Sequence, residues 1–422
     1  MHPNAVLDAC ADLVREALAF AHPADAVAAR FFRAHRGLGP RERATLTDTL
    51  YAVLRRKLQY EHFAPSGSGP RERRLAILGF GGPRDFLFSA LTPQEKEWVQ
   101  RCEAVAPADL LDRHRHNLPE WLAQPLRAQL GAQFWPLADS LLGQAPLDLR
   151  VNQLNAKRAE VQQELQAAGI EAQPTPYSPW GLRVQGKPAL NRVDAFTRGA
   201  IEVQDEGSQL LALLLDARRG EMVTDFCAGA GGKTLAIGAG MRNTGRLYAF
   251  DTSAHRLEAL KPRLGRSGLS NVHPVAIAHE RDERIKRLAG KMDRVLVDAP
   301  CSGTGTLRRH PDLKWRQNQA AVDGLAAIQL AVLQSAARLL KPGGRLVYAT
   351  CSLLTQENED IAAAFSAAQP GFMALPVAAE LARLKVGGAD TLCAGEGGRF
   401  LRLWPHRHGT DGFFAAVWER QG

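Results

Sequence analysis

The chain is poor in cysteine, in aromatic residues and in uninterrupted apolar runs. Only six cysteines occur among 422 residues, at 10, 102, 227, 301, 351 and 393, and no two form a CxxC pair. Scattered thiols argue against a disulfide framework and fit a reducing compartment, so a cytoplasmic protein is expected. No stretch approaches the ~18 consecutive apolar residues of a membrane span, so no membrane partner is expected. Met1-His2-Pro3-Asn4-Ala5-Val6-Leu7-Asp8 has no basic run followed by an apolar core, so a secretory leader is not expected. Short-spaced ligand pairs are missing as well. A zinc site built from Cys227, Cys301, Cys351 and His310 has no anchoring pair, and no metal is expected. Acidic residues are in deficit: 44 Asp+Glu face 53 Lys+Arg, for a net charge of +9. That balance favours a polyanionic partner, though many proteins with a modest positive charge bind none.

What is present falls into three blocks, in keeping with a length that exceeds one ordinary core. Residues 1–140 read as all-helical. Val6, Leu7, Cys10, Leu13, Val14 and Leu18 recur at helical spacing, as do Leu46, Leu50, Val53, Leu54 and Leu58 after Gly39-Pro40. Arg30, Arg33, Arg36, Arg41, Arg43, Arg55, Arg56 and Lys57, with Arg71, Arg73 and Arg74, interleave these stripes. Both a solvated helix face and an RNA-facing surface fit that pattern. Residues 145–204 read as a small α+β linker domain, with a strand at 147–152, a helix at 156–168 and a Pro/Gly-rich stretch at 174–188. From 205 to 422 the rhythm is strand, turn, helix. Strands are expected at 222–226, 246–250, 272–277, 294–298 and 345–349, and a late antiparallel pair at 400–404 and 413–418. This predicts a doubly wound, mainly parallel α/β sheet.

Three of those strands end in chemistry. Asp225-Phe226-Cys227-Ala228-Gly229-Ala230-Gly231-Gly232-Lys233-Thr234 is a glycine-rich turn, and Cys301 and Cys351 each follow an apolar strand. Ligands of open α/β sheets bind at that edge. A triphosphate-binding loop would need glycine where Cys227 stands, and a dinucleotide fingerprint would need glycine at Thr234. S-adenosylmethionine fits better: glycines admit its amino-acid tail against the backbone, and Asp251, ending the next strand, can accept the ribose hydroxyls; taken alone, the motif fits an ordinary tight αβ turn with a capping Asp equally well.

With their flanks the motifs become specific. Gln204-Asp205-Glu206-Gly207-Ser208-Gln209, the 225–234 turn, Asp298-Ala299-Pro300-Cys301-Ser302-Gly303-Thr304-Gly305, Arg308-Arg309-His310-Pro311-Asp312-Leu313-Lys314-Trp315 and Tyr348-Ala349-Thr350-Cys351-Ser352 occur in that order. This resembles the RsmB/Nop2/Sun family of RNA cytosine-5 methyltransferases, most closely its bacterial members acting on 16S ribosomal RNA. The resemblance covers about residues 145–422. Over 1–140, Leu38-Gly39-Pro40-Arg41-Glu42-Arg43 and Leu50-Tyr51-Ala52-Val53-Leu54-Arg55-Arg56 resemble a NusB-type RNA-binding domain. The resemblance implies a Rossmann-like class I methyltransferase sheet and a cofactor site lined by Cys227, Ala228, Gly229, Ala230, Gly231, Gly232, Lys233, Asp251 and Asp298. It also implies Cys351 as nucleophile and 16S rRNA as partner; separately, a monomer is expected. The family usually has proline where Ala230 stands. It often has an adenine-contacting aspartate near 275–280; Glu280 and Asp282 are the carboxylates available here.

The chemistry agrees with two thiols. Carbon 5 of cytosine is a poor nucleophile until a thiolate adds to carbon 6, after which it can accept a methyl group. A second thiolate can then act as base for release, and Asp298 can stabilise charge at the ring nitrogen. Chemistry alone leaves Cys301 and Cys351 interchangeable. The rival readings are a DNA cytosine methyltransferase, which would use the Pro300-Cys301 thiol, and a binding module without activity.

Overall fold

A computed structural model describes residues 1–422, which form two compact units. Residues 1–144 with 306–319 make the first, and 145–305 with 320–422 the second.

The first unit is helical. Helix Pro3–Ala17 opens on a proline whose missing N–H is no loss in a first turn, and buries Val6, Leu7, Cys10, Leu13 and Val14. Helix Pro40–Arg55 buries Leu46, Leu50, Val53 and Leu54. The arginines divide into two kinds. Arg33, Arg36 and Arg41 are exposed. Arg74 instead donates to the carbonyls of Ala64 and Gly67, and Arg73 pairs with Asp8 and Glu95. Part of the basic pattern is therefore internal bracing.

Residues 306–319, which chain order places inside the 205–422 block, fold with this helical unit. Half-buried Trp315 packs on the helical core and its indole N–H donates to the Leu54 carbonyl at 2.8 Å. The ammonium groups of Lys57 and Lys314 lie 5.0 and 4.9 Å from its ring. Lys314 donates to the Arg55 carbonyl at 2.9 Å, and Arg55 donates to the Arg308 carbonyl at 2.8 Å. Burial, with Arg55, Arg56 and Lys57 nearby, holds the Lys314 ammonium well below the ordinary lysine range.

The second unit contains two sheets. In the smaller, β1 (Leu147–Val151), β2 (Ala172–Pro174), β3 (Gly181–Val184) and β4 (Ile201–Val203) take the order β2-β3-β1-β4, with antiparallel pairs throughout. Helix Arg158–Ala167 and a short helix Asp194–Thr197 complete a βαββαβ unit. Strands β2, β3 and β4 are three or four residues long, too short to show a period of two; β3 lies inside the stretch read as Pro/Gly-rich at 174–188, which β2 meets only at Pro174.

The larger sheet holds β5 (Met222–Phe226), β6 (Arg246–Asp251), β7 (Val272–Ala276), β8 (Met292–Asp298), β9 (Leu340–Thr350), β10 (Phe372–Leu375), β11 (Cys393–Ala394), β12 (Phe400–Leu403) and β13 (Phe413–Arg420). Its order is β11-β12-β13-β9-β8-β5-β6-β7, with β10 also on β13. Strands β5 to β9 pair in parallel and β13 runs antiparallel to β9. Successive side chains face opposite cores: Leu346 and Tyr348 join one, Val347 and Ala349 the other. The 19-residue helix Gln319–Ala337 is long and apolar enough to cross a membrane by length and composition. Here Val332, Leu333, Ala336 and Ala337 on it pack with the sheet residues of one core. The doubly wound sheet read from the sequence is observed.

Because Trp315 joins a segment distant in sequence to the helical core, Trp315→Ala should destabilise the first unit by about 2–4 kcal/mol. Hydrogen exchange at the amides of helix Pro40–Arg55 reads this. Unchanged protection there would contradict the assignment of 306–319 to that unit.

Candidate active site

The carboxyl edge of the parallel strands gathers the motif residues. After β5 the chain turns through Cys227–Gly231 into helix Gly232–Gly240. Cys227 is left-handed (φ 84°), as are Gly229 (56°) and Gly231 (82°). That conformation costs roughly 1–2 kcal/mol at a residue with a Cβ. It is held by the N–H groups of Cys227 and Ala228, both donating to the Phe250 carbonyl at 2.9 and 2.8 Å. A Cβ at Gly231 would lie 2.2 Å from Leu260, whereas at Gly229 it would meet nothing within 4 Å. Gly231 is therefore a packing glycine, and Gly229 leaves its backbone open to a ligand. The helix that follows points its free N–H groups and positive dipole end at the same space, which suits a carboxylate.

Asp251 ends β6 and ties down the turn. Its two oxygens accept from the N–H groups of Gly229 and Ser253, each at 2.7 Å. Each keeps a lone pair for a further donor, such as a hydroxyl. The Ala230 carbonyl accepts from Arg263, whose guanidinium also pairs with Glu202 of β4 at 3.0 Å. Of the two carboxylates near 275–282, Asp282 is occupied: it accepts from the N–H groups of Ala278 and Arg284 at 3.0 and 2.9 Å. Glu280 has Arg281 at 3.4 Å.

Strands β8 and β9 supply the thiols. Their register sets Asp298 beside Ala349, and the loops that follow bring Cys301 Sγ to 3.3 Å from Cys351 Sγ. The hydrogen bond with Cys351, together with burial, holds the Cys301 thiol well above its usual range, and the nearby Glu357 charge adds to this. Lys233 Nζ donates to Asp298 Oδ2 at 2.7 Å. Burial works against the Lys233 ammonium, yet Asp298 carries its pKa above the ordinary lysine value. Cys227 is different: burial and the Asp298, Asp225 and Asp251 carboxylates raise its thiol well above the usual range, which disfavours a nucleophilic role. Cys10 and Cys393 are each pushed up to about 12, mainly by burial. No three His, Cys, Asp or Glu side chains gather as metal ligands.

Sequence reasoning brought Cys301, Cys351 and Asp298 to one edge and missed what lies beneath them. The Lys233–Asp298 ion pair joins two motifs 65 residues apart. Under the thiols, Ser302 and Ser352 both donate to the fully buried Glu357. The repeated Cys-Ser dipeptides at 301–302 and 351–352 mark the two serines, but no local feature marks Glu357.

Known proteins resemble this chain over most of its length. Residues 212–419 match the family described as 16S rRNA methyltransferase RsmB/F, and residues 118–191 match its ferredoxin-like domain. The probable ribosomal RNA small subunit methyltransferase B of Bacillus subtilis (strain 168) is 32% identical over 351 residues, covering 82% of this chain and 76% of that protein. The ribosomal RNA small subunit methyltransferase B of Sodalis glossinidius (strain morsitans) is 35% identical over 296 residues, covering 66% and 68%. The crystal structure of PH0851 is similar over 100% of this chain and 99% of that one, with a TM-score of 0.80 and 27% identity.

Asp225, beneath the glycine turn, accepts from Thr234 Oγ1 at 2.6 Å. Burial pushes its carboxyl up to about 7; the Thr234 bond opposes this, and Asp298 and Asp251 add to it. The folded protein thus keeps a proton that the unfolded chain releases near pH ~4. The stability tied to that proton is complete below pH ~4 and lost as pH rises towards 7. Urea unfolding of Asp225→Asn and the unsubstituted protein should therefore diverge over that window. The difference should grow in favour of Asn by at most ~1.4 kcal/mol per pH unit and then level off. A difference independent of pH would contradict the shifted carboxyl.

Proposed function

The chain belongs to the 16S rRNA methyltransferase RsmB/F family and is an RNA methyltransferase, and we propose that it methylates carbon 5 of a cytosine in 16S ribosomal RNA through a covalent bond from Cys351 to carbon 6. The observation that carries this reading is the pair of thiols 3.3 Å apart at the strand edge that also holds Lys233 and Asp298.

The donor set fits S-adenosylmethionine. The open backbone at Gly229, the N-terminus of helix Gly232–Gly240 and the spare lone pairs of Asp251 match its tail, carboxylate and ribose. Residues 227–233, Asp251 and Asp298 would hold it. When bound, it supplies a methyl group on a positively charged sulfur.

The chain's own residues do the rest. Cys351 as thiolate forms a bond to carbon 6, and the displaced electron pair makes carbon 5 nucleophilic. Lys233 holds a proton at Nζ beside Asp298, so the pair can offer a hydrogen bond as charge builds on the ring nitrogen. After carbon 5 has taken the methyl group, its remaining hydrogen must leave as a proton. With Cys351 bonded to carbon 6, its sulfur no longer carries the charge or the hydrogen bond that hold the Cys301 proton, so Cys301 gives that proton to solvent and takes the carbon 5 proton in its place. The electrons of the broken C–H bond restore the double bond between carbons 5 and 6 and expel Cys351 as thiolate. The cytosine must be out of any stack to reach these thiols, so an unpaired or extruded base is the substrate.

In this reading the helical unit is NusB-like, and its exposed Arg33, Arg36 and Arg41 contact RNA phosphates. The protein acts as a monomer, in the cytoplasm where ribosomal RNA is made.

The thiols are separated by substitution. Cys351→Ala should abolish both 5-methylcytosine and any RNA–protein adduct, while Cys301→Ala should transfer the methyl group once and remain joined to RNA. A denaturing gel with labelled RNA and methyl-labelled cofactor reads both. A persistent adduct in the Cys351 variant alone would reverse the roles and favour the mechanism of the DNA enzymes.

A further inference from the structure

Glu357 is fully buried, 0% exposed, and sits between the two thiol loops. Its carboxylate accepts four hydrogen bonds, all from uncharged donors. The Ser302 N–H and the Gln329 side-chain amide reach Oε1 at 2.8 and 3.0 Å, and the hydroxyls of Ser302 and Ser352 each reach Oε2 at 2.5 Å. Ser302 follows Cys301 and Ser352 follows Cys351, so one carboxylate grips the residue next to each thiol. Gln329 extends the grip, since its amide also donates to the Pro300 carbonyl at 2.9 Å. The neighbouring Asn358 holds the other side of the Cys351 loop: its amide donates to the Ser352 carbonyl at 2.9 Å, and its oxygen accepts from Thr350 at 2.5 Å.

A buried carboxylate without a cation against it is costly unless its lone pairs are filled, and here four donors fill them. Apolar packing would serve stability as well. The alternative use for such a group is to define one arrangement of the elements that donate to it. Those elements are the ends of β8 and β9, the pair that carries the thiols.

We propose that Glu357 is a positioning residue that locks the Cys301 and Cys351 loops in one arrangement and so sets the distance between the sulfurs for release of the product. This rests on the thiol pair acting as proposed above, and it concerns only how that pair is held.

The test has a readout that does not need methylation. Diamide removes two electrons and two protons from a pair of close thiols, leaving a disulfide and the reduced hydrazine form of the reagent. In the full-length protein Cys301 and Cys351 should cross-link rapidly, scored by peptide mass spectrometry. Glu357→Gln preserves the size and the number of hydrogen bonds, because the serine hydroxyls can turn to accept from its amide. It should cross-link at the unsubstituted rate and keep most of kcat. Glu357→Ala should cross-link at least ~10-fold more slowly and lose about 100-fold in kcat, with KM for RNA and S-adenosylmethionine within about two-fold. If the Ala variant does not fold, Ser352→Ala, which cuts one arm of the grip, should show the same changes in smaller measure. Unchanged cross-linking in the Ala variant, or in Ser352→Ala where only that folds, would overturn the proposal. So would a Gln variant that cross-links normally yet loses kcat as the Ala variant does, because charge and not position would then be the role. Normal cross-linking in a protein that never forms 5-methylcytosine would instead count against the proposed reaction and leave the positioning role standing.

Discussion

The proposed chemistry depends on the parallel pairing of β8 with β9. In the register that sets Asp298 beside Ala349, two cysteines fifty residues apart leave adjacent strands at the same edge and meet at 3.3 Å. A slip of one residue would turn every side chain of one strand to the opposite face. That slip is opposed from both sides of the sheet, because Val295, Val297, Leu346 and Tyr348 feed one core while Leu296, Val347 and Ala349 feed the other. The thiols inherit their proximity from apolar packing far larger than any bond they make themselves.

The same edge keeps different groups in different protonation states. Cys301 and Cys227 are held as thiols by burial and neighbouring negative charge, while Lys233 keeps its proton through Asp298. Divergent pKa values among adjacent groups are how one pocket assigns acid and base roles at a single pH. Apart from the Cys227 thiol, the Cys227–Gly231 turn acts through its backbone. It contributes open backbone at Gly229 and a helix N-terminus, and it is braced by Asp251 and Arg263.

The parallel strands were legible in the sequence because each is a short, largely apolar run closed by a turn. β5 to β8 lie within a residue or two of where they were read, while β9 begins five residues earlier, at Leu340, among residues of turn-like composition. Three short strands of the small sheet were not legible, since three or four residues carry no periodicity. The helical unit was legible as helices through its stripes. The membership of 306–319 was not, because that depends on where Trp315 packs. In the site, Cys301, Cys351, Asp298 and Asp251 could be named from strand ends alone. Glu357 could not, since nothing in Leu353-Leu354-Thr355-Gln356-Glu357 distinguishes a buried carboxylate from a solvated one. Only the fold reveals that Ser302 and Ser352 converge on it.

The most direct measurement of the central claim uses RNA carrying 5-fluorocytosine at the methylated position. Fluorine in place of the carbon 5 hydrogen cannot leave as a proton, so the reaction halts with protein and methylated base joined. Digestion and mass spectrometry then identify the attached residue. The account predicts a single modified peptide bearing the base on Cys351, with Cys301 free. Attachment through Cys301, or methylated RNA with no covalent link to protein, would contradict it.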